Sequence, residues 1–210
     1  RYADPVVVVK PASHRGVEPG VVRLTNLAAG HVGVRFQEWN YTVDKDHAPE
    51  DIFYLVAEAG VHSVGGLQVE AGRLGTARLA GRGEWESVSF TGPFAGPPVV
   101  MASIATNRGP DAVTERISRL DAAGFDVAMD EEEAKSDGHA VEDIGWVAIE
   151  EGRGVTADGR VLDAFFAKID DSWDTVAFTP YADLRMPSIL GSVVSAKEPD
   201  PALLRFSGLT

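Results

Sequence analysis

The chain has 210 residues, enough for one large domain or two to three small ones, and its 44% hydrophobic content permits a buried core. Its 19 basic and 32 acidic side chains give a net charge of −13, which excludes nucleic acid and anionic membrane surfaces as expected partners. Cysteine is absent, so disulfides and thiolate metal sites are excluded, and no apolar run approaches the ~20 residues of a membrane helix. The first residue is Arg1 rather than Met, which predicts a fragment of a longer protein.

The first predicted elements are strands separated by polar or glycine-rich segments. Residues 5–9 form an apolar run bounded by proline, which predicts a buried strand. Residues 61–82 and 153–166 are rich in glycine and predict hairpins that connect larger units.

The middle of the chain has the periodicity of β-strands. Residues 125–129 alternate apolar and polar side chains, which is typical of a strand with one buried face. The preceding residues 121–124 have turn composition, and residues 131–138 are polar and predict a loop. Further β-rich runs occupy residues 85–90, 99–104, 116–120 and 144–149.

An internal repeat relates these elements. Residues 4–9 match residues 97–101, and the same offset of 93 places Arg23 on Arg116. After one residue is lost, His47 falls on His139, at an offset of 92. A third copy begins at Trp173, which corresponds to Trp85, and places Arg205 on Arg116.

The repeat predicts the domain organisation. Residues 1–78 form a first copy that lacks its initial strand, residues 79–165 a complete second copy, and residues 166–210 the first half of a third. The expected fold class is all-β, with tandem small antiparallel β-sandwich modules of about 90 residues. Three tryptophans in the strand patterns are predicted to lie in the core: Trp85, Trp146 and Trp173.

The second copy carries a set of spaced motifs between residues 85 and 152. They are Val88-x-Phe90, Phe94 with Pro97-Pro98-Val99, Arg116, Gly124-Phe125-Asp126-Val127 and Trp146-Val147-Ala148. This pattern resembles the H-type lectin domain, the module of snail agglutinins and some discoidins. The resemblance implies a β-sandwich that assembles as a trimer and binds galactose or GalNAc with loops near subunit boundaries.

The most conspicuous polar element is a repeated His-x-x-Glu-Asp-Ile motif. It contains His47 and Glu50 in the first copy, and His139 and Glu142 in the second. Three interpretations are open: a hydrogen bond that locks the loop, a contact to a sugar, or a metal site built from imidazole and carboxylate.

The repeated arginine represented by Arg116 has two interpretations. A guanidinium forks onto carboxylates, and the nearest repeated partners are Glu38 and Glu131, which predicts a structural salt bridge within the sandwich. The alternative is an arginine that faces a ligand.

Two loop segments complete the candidate sites. Trp39, Asn40 and Tyr41 combine aromatic rings with an amide, which suits sugar recognition, although Trp39 is also a candidate to cover the edge of the sandwich. The carboxylate cluster of Asp130, Glu131 and Glu133 is a candidate Ca²⁺ site or simply a solvated acidic face.

These observations favour a non-catalytic carbohydrate-binding or adhesion repeat of a larger extracellular protein, located outside the cell or on a cell or virion surface. The alternative is a purely structural repeat, a stalk or a surface or virion component, without a sugar ligand. The sequence has no phosphate-binding glycine loop, nucleophile elbow or zinc-protease helix, so an enzyme is not expected. The resemblance implies a galactose- or GalNAc-type glycan as partner and a homo-oligomer, with a trimer as the implied form.

Overall fold

Strands make up nearly all the regular structure in the described part of this protein. The structure, a computed structural model, describes residues 2–42, 46–132, 135, 137–178, 187–197 and 200–208. Within these ranges the one helical element is a 3-10 turn at Ala80–Arg82, and no helix is long and apolar enough to cross a membrane. The predicted all-β class is confirmed.

The strands are numbered in chain order. They are β1 (Pro5–Ser13), β2 (Gly20–Ala28), β3 (His31–Glu38), β4 (Ile52–Glu58), β5 (Gly60–Val64), β6 (Leu67–Thr76), β7 (Glu86–Ser89), β8 (Val99–Ile104), β9 (Val113–Ser118), β10 (Gly124–Glu131), β11 (Glu142–Ile149), β12 (Gly152–Val155), β13 (Val161–Ala164) and β14 (Arg205–Phe206).

The central part of the chain forms a sandwich of two antiparallel sheets. One sheet has the strand order β5-β6-β11-β8 and the other the order β7-β10-β9. Phe125, Val127 and Met129 on β10 enter the same apolar cluster as Ile144 and Trp146 on β11. Every second side chain of β10 faces this core, as the alternation along residues 125–129 predicted. The expectation that only one face is buried is wrong, because Asp126, Ala128 and Asp130 on the other face are buried as well.

The strand β1 is buried on both faces. Val7 and Val9 pack with Leu24, whereas Val6 and Val8 pack with a cluster that includes residues of β6, β8 and β11. This placement explains the continuous apolar run, which a strand with one solvent face does not have. Antiparallel pairing with β4 and parallel pairing with β14 hold β1 in place.

Both glycine-rich segments that predicted hairpins contain paired strands. The strands β5 and β6 pair around Gly65 and Gly66, which have positive φ angles, and β12 pairs with β13. The strand β6 continues beyond its hairpin and pairs with β11 from Val69 to Thr76. The first hairpin therefore contributes to the sheet of the central sandwich.

The three tryptophans predicted for the core have different environments. Trp146 is buried, as expected, and Trp85 is half-buried just before β7. The prediction for Trp173 is wrong, because this side chain is 62% exposed and its ring meets His14 edge to face at 5.3 Å. Residues 171–178 form no strand, so no alternating face turns Trp173 inward.

Candidate functional site

The carboxylate of Glu50 is enclosed by the loop that follows β1. The Ser13 hydroxyl donates to it at 2.5 Å, and the backbone N–H groups of Arg15 and Gly16 donate at 3.1 and 3.0 Å. The Nε2 atom of His47 lies 3.0 Å from the same carboxylate. Burial alone would raise the pKa of Glu50, but these hydrogen bonds lower it to about 2.

The carboxylate of Glu142 has the same surroundings after β8. The Thr106 hydroxyl donates to it at 2.5 Å, and the N–H groups of Arg108 and Gly109 each donate at 2.9 Å. The Nε2 atom of His139 lies 3.2 Å away. Burial opposes ionisation of Glu142, yet the hydrogen bonds and nearby Arg23 lower its pKa to about 2. The two loops thus repeat one arrangement, donor by donor.

Each histidine of the repeated motif bridges two carboxylates. The Nδ1 atom of His47 lies 3.2 Å from Glu38, and the Nδ1 atom of His139 lies 2.8 Å from Glu131. Burial would lower the pKa of His139, but its contacts with Glu142 and Glu131 raise it above the ordinary value. This geometry is that of the loop-locking interpretation, because both ring nitrogens are engaged inside the protein.

Glycine is required where each loop crosses its histidine ring. A Cβ atom on Gly16 would overlap the His47 ring, and one on Gly109 would overlap the His139 ring. The backbone of each glycine therefore lies flat against an imidazole and presents its N–H to the glutamate. A larger residue would push the ring away from the carboxylate.

Arginines reach these carboxylates from distant parts of the chain. Arg23 donates to Glu142 at 2.9 Å and to the Asp111 carbonyl at 2.6 Å. Arg205 donates to Glu50 and to the Ser13 carbonyl at 2.7 Å. The expected salt bridge between Arg23 and Glu38 is wrong. The Arg23 side chain contacts Glu142 and the loop after β8 instead.

Arg116 makes a buried salt bridge and a contact to the C-terminal segment. Its Nη1 atom lies 3.3 Å from Asp130 and donates to the Asp200 carbonyl at 2.6 Å. Burial raises the pKa of Asp130 to about 6, although Arg116 acts in the opposite direction. The salt bridge of Arg116 is thus made with Asp130, next to the expected Glu131, and the arginine is 3% exposed, as the salt-bridge interpretation predicts.

The outer surface of the first loop carries an exposed polar pair beside aromatic rings. Arg15 forms an ion pair with Asp51, and both side chains are more than half exposed. A cleft of about 650 Å³ opens here and is also lined by His14, Phe53 and Phe206. The sequence analysis did not predict this cleft. The repeat matches Arg15 with Arg108 and Asp51 with Asp143, and this recurrence could have indicated a paired arginine and aspartate in each loop.

The second loop carries the corresponding pair, Arg108 with Asp143, at 2.6 Å. This pair is also partly exposed, but Gly145 stands where the first loop has Phe53. Of the two loops, the first therefore has an aromatic ring at this position and the second does not.

The segment Trp39-Asn40-Tyr41 divides between core and surface. Trp39 is buried against Val21 and Ala112, so it covers the sandwich edge. Asn40 donates from its side chain to Asp111 at 2.5 Å, and Tyr41 is 54% exposed. Of this segment, Asn40 and Tyr41 are accessible to a ligand.

The carboxylates of the acidic cluster are engaged with basic side chains. Asp130 faces Arg116 and Glu131 faces His139, while Glu133 lies outside the described residues. Elsewhere in the described part of the chain, Glu18, Glu38 and His47 place three potential ligand atoms within 4.8 Å of one another. Glu38 in that group already accepts hydrogen bonds from Thr42 and His47.

The fold and these loops define an all-β protein whose loops are locked by buried glutamate–histidine and glutamate–arginine contacts. The chain is 27% identical over 188 residues to halomucin of Haloquadratum walsbyi, a match that covers 84% of this chain and 2% of halomucin. The chain therefore spans a small fraction of that relative's length. A similarity to the solved structure of recombinant discoidin II of Dictyostelium discoideum has a TM-score of 0.29 at 15% identity, over 70% of this chain and 73% of that one. No protein-family model matches the chain.

Proposed function

We propose that this chain is a non-catalytic carbohydrate-binding module of an extracellular or surface protein. The observation that carries the proposal is the cleft where the exposed Arg15–Asp51 pair stands beside Phe53 and Phe206. A carboxylate and a guanidinium recognise pairs of sugar hydroxyls, and aromatic rings pack against the apolar C–H face of a pyranose. Both kinds of group line this one opening.

Two further observations support the surface location and the ligand class. The similarity to halomucin supports an extracellular or cell-surface protein. The H-type lectin motifs of the second repeat support a galactose- or GalNAc-type sugar, and the net charge of −13 disfavours nucleic acid. The residues proposed to contact the sugar are Arg15, Asp51 and Phe53, with Asn40 and Tyr41 as a separate accessible pair.

A structural repeat without a sugar ligand is the second candidate. The observation that favours it is that five residues singled out from the sequence are buried in internal contacts: His47, Glu50, Arg116, His139 and Glu142. Contacts of this kind stabilise loops whether or not a ligand binds. The two candidate functions make different predictions only for sugar binding at the cleft, so an experiment on the cleft distinguishes them.

The test is titration of the purified chain with galactose, GalNAc and a broad glycan panel, with Ca²⁺ and again with chelator. We expect saturable binding that Asp51→Asn weakens at least tenfold. The matched control is Asp158→Asn, which alters an exposed aspartate in an ion pair with Arg160, away from the cleft. Absence of binding by folded protein would support the structural repeat, whereas equal binding by both variants would exclude the cleft as the sugar site.

A further inference from the structure

We infer that three repeats of this one chain close into a ring, in which each repeat docks on the next and residues 187–197 and 200–208 of the third dock on the first. The docking surface of the first repeat consists of the edge of β1 and the Glu50 loop. Its partner is the third repeat of the same chain. This inference is independent of sugar binding, since it concerns contacts among the repeats and not the cleft.

A cyclic set of hydrogen bonds donated by backbone N–H groups is the first observation. The Val9 N–H donates to the Ser103 hydroxyl at 2.9 Å, and the Ala102 N–H donates to the Ser192 hydroxyl at 3.1 Å. Val9 and Ala102 occupy corresponding positions of the repeat, as do Ser103 and Ser192. The same relation therefore links the first repeat to the second and the second to the third.

The set closes between the third repeat and the first. Gly191 corresponds to Ala102 and Lys10 corresponds to Ser103, and the Gly191 N–H donates to the Lys10 carbonyl at 3.2 Å. A linear string of repeats would leave its first and third members apart. The return contact to Lys10 is what distinguishes a ring from a string.

The repeated arginines form a second cyclic set. Arg23 of the first repeat reaches Glu142 of the second, and Arg205 of the third reaches Glu50 of the first. Arg116 of the second donates to the carbonyl of Asp200 in the third, just as Arg23 donates to the carbonyl at the corresponding Asp111. All three arginines thus point in the same direction around the ring.

The equivalent contacts agree in chemistry as well as in position. Arg23 donates to the Thr106 carbonyl and Arg205 to the carbonyl of Ser13, which corresponds to Thr106. Parallel pairing of β1 with β14, with Ser13 opposite Phe206, adds a backbone connection at the closing boundary. Two independent sets of contacts therefore define the same cyclic order.

An engineered disulfide tests whether the ring closes within one chain. The chain has no cysteine, so Ser13→Cys with Phe206→Cys creates the only thiol pair, at neighbouring strand positions. We expect mild oxidation to give a monomer with an intrachain disulfide in more than half of the molecules, seen as faster migration without reductant. The control pair is Ser89→Cys with Phe206→Cys, because Ser89 lies on β7 and pairs with β10 instead. Disulfides only between chains, or thiols that stay free, would overturn the ring.

Native-state hydrogen exchange provides a test that needs little perturbation. In the unmodified chain we expect the Gly191 amide to be protected, and in Ser192→Ala we expect the Ala102 amide to exchange at least tenfold faster. Ser207→Ala, at an exposed position outside the cyclic contacts, should leave both amides unchanged. An unprotected Gly191 amide, or an Ala102 amide indifferent to Ser192→Ala, would contradict the docking of the third repeat.

Discussion

Arg23 and Glu142 are 119 residues apart in the sequence, yet their side chains form an ion pair at 2.9 Å. Arg23 is 1% exposed and Glu142 is fully buried. Glu142 also accepts hydrogen bonds from Thr106, Arg108 and Gly109, so its charge is compensated from several directions. Such a pair ties β2 to the start of β11.

Removing the charge of Glu142 should destabilise the fold strongly. Glu142→Gln leaves the Arg23 guanidinium buried opposite a neutral group, and breaking a buried pair in this way costs about 3–5 kcal/mol. The measurement is urea denaturation followed by circular dichroism. Glu86→Gln, which alters the exposed pair of Glu86 with Arg78, should cost at most about 1 kcal/mol. Equal effects of the two substitutions would contradict the structural role of Glu142.

Acid should unfold this protein through its two enclosed glutamates. The pKa values of Glu50 and Glu142 are lowered from 4.5 to about 2, so their contribution to stability is complete above pH 4.5 and is lost as pH falls toward 2. The free energy of unfolding should therefore drop steeply across that window. Glu142→Gln should flatten the drop when urea midpoints are compared from pH 6 to pH 2.5. An unchanged slope would exclude Glu142 as a source.

The raised pKa of His139 predicts the opposite dependence at higher pH. A histidine whose folded pKa is raised contributes stability that is complete below its ordinary value of 6.5 and is lost as pH rises through the folded pKa. We expect the free energy of unfolding to decline above pH 6.5, and His139→Gln to remove part of this decline. The pKa itself can be read from the chemical shifts of the imidazole. A value below 6.5 would contradict the contacts of His139 with Glu131 and Glu142.

The flat approach of Gly109 to the His139 ring should be intolerant of a side chain. Gly109→Ala places a methyl group against the imidazole and should cost about 1–3 kcal/mol, because the ring must leave its two carboxylates. Gly30→Ala is the matched control, since a Cβ there meets nothing within 4 Å. Thermal unfolding of the two variants should separate them clearly. Similar midpoints would mean that the loop adapts.

Much of the fold could be predicted because the signals are local. The alternation in residues 125–129 identifies the side of β10 that faces the apolar core, and the apolar run of residues 5–9 reflects apolar packing on both sides of β1. Trp173 shows the limit of such patterns. Its spacing to Val176 and Phe178 copies that of Trp85, but residues 171–178 form no strand, and the ring lies on the surface.

The candidate site was predictable in its residue types but not in its partners. The repeated His-x-x-Glu motif identified both loops, because the same local contacts recur in each. The partner of Arg23 was not predictable, since a guanidinium on β2 meets Glu142 only after two distant segments have packed. For the same reason the cleft was not predicted, because Phe206 on β14 meets Phe53 only after the two distant segments have packed.

The contact from Gly191 to Lys10 also bears on how the chain is made. The first strand leaves the ribosome long before residue 191 exists, and synthesis of the intervening chain at roughly 5–20 residues per second takes on the order of 10 s or more. During that interval Ala12 and Ser13, the two positions of β1 that pair with β14, have no partner strand on that edge. The nascent chain therefore has a period in which association with a neighbouring copy competes with its own completion.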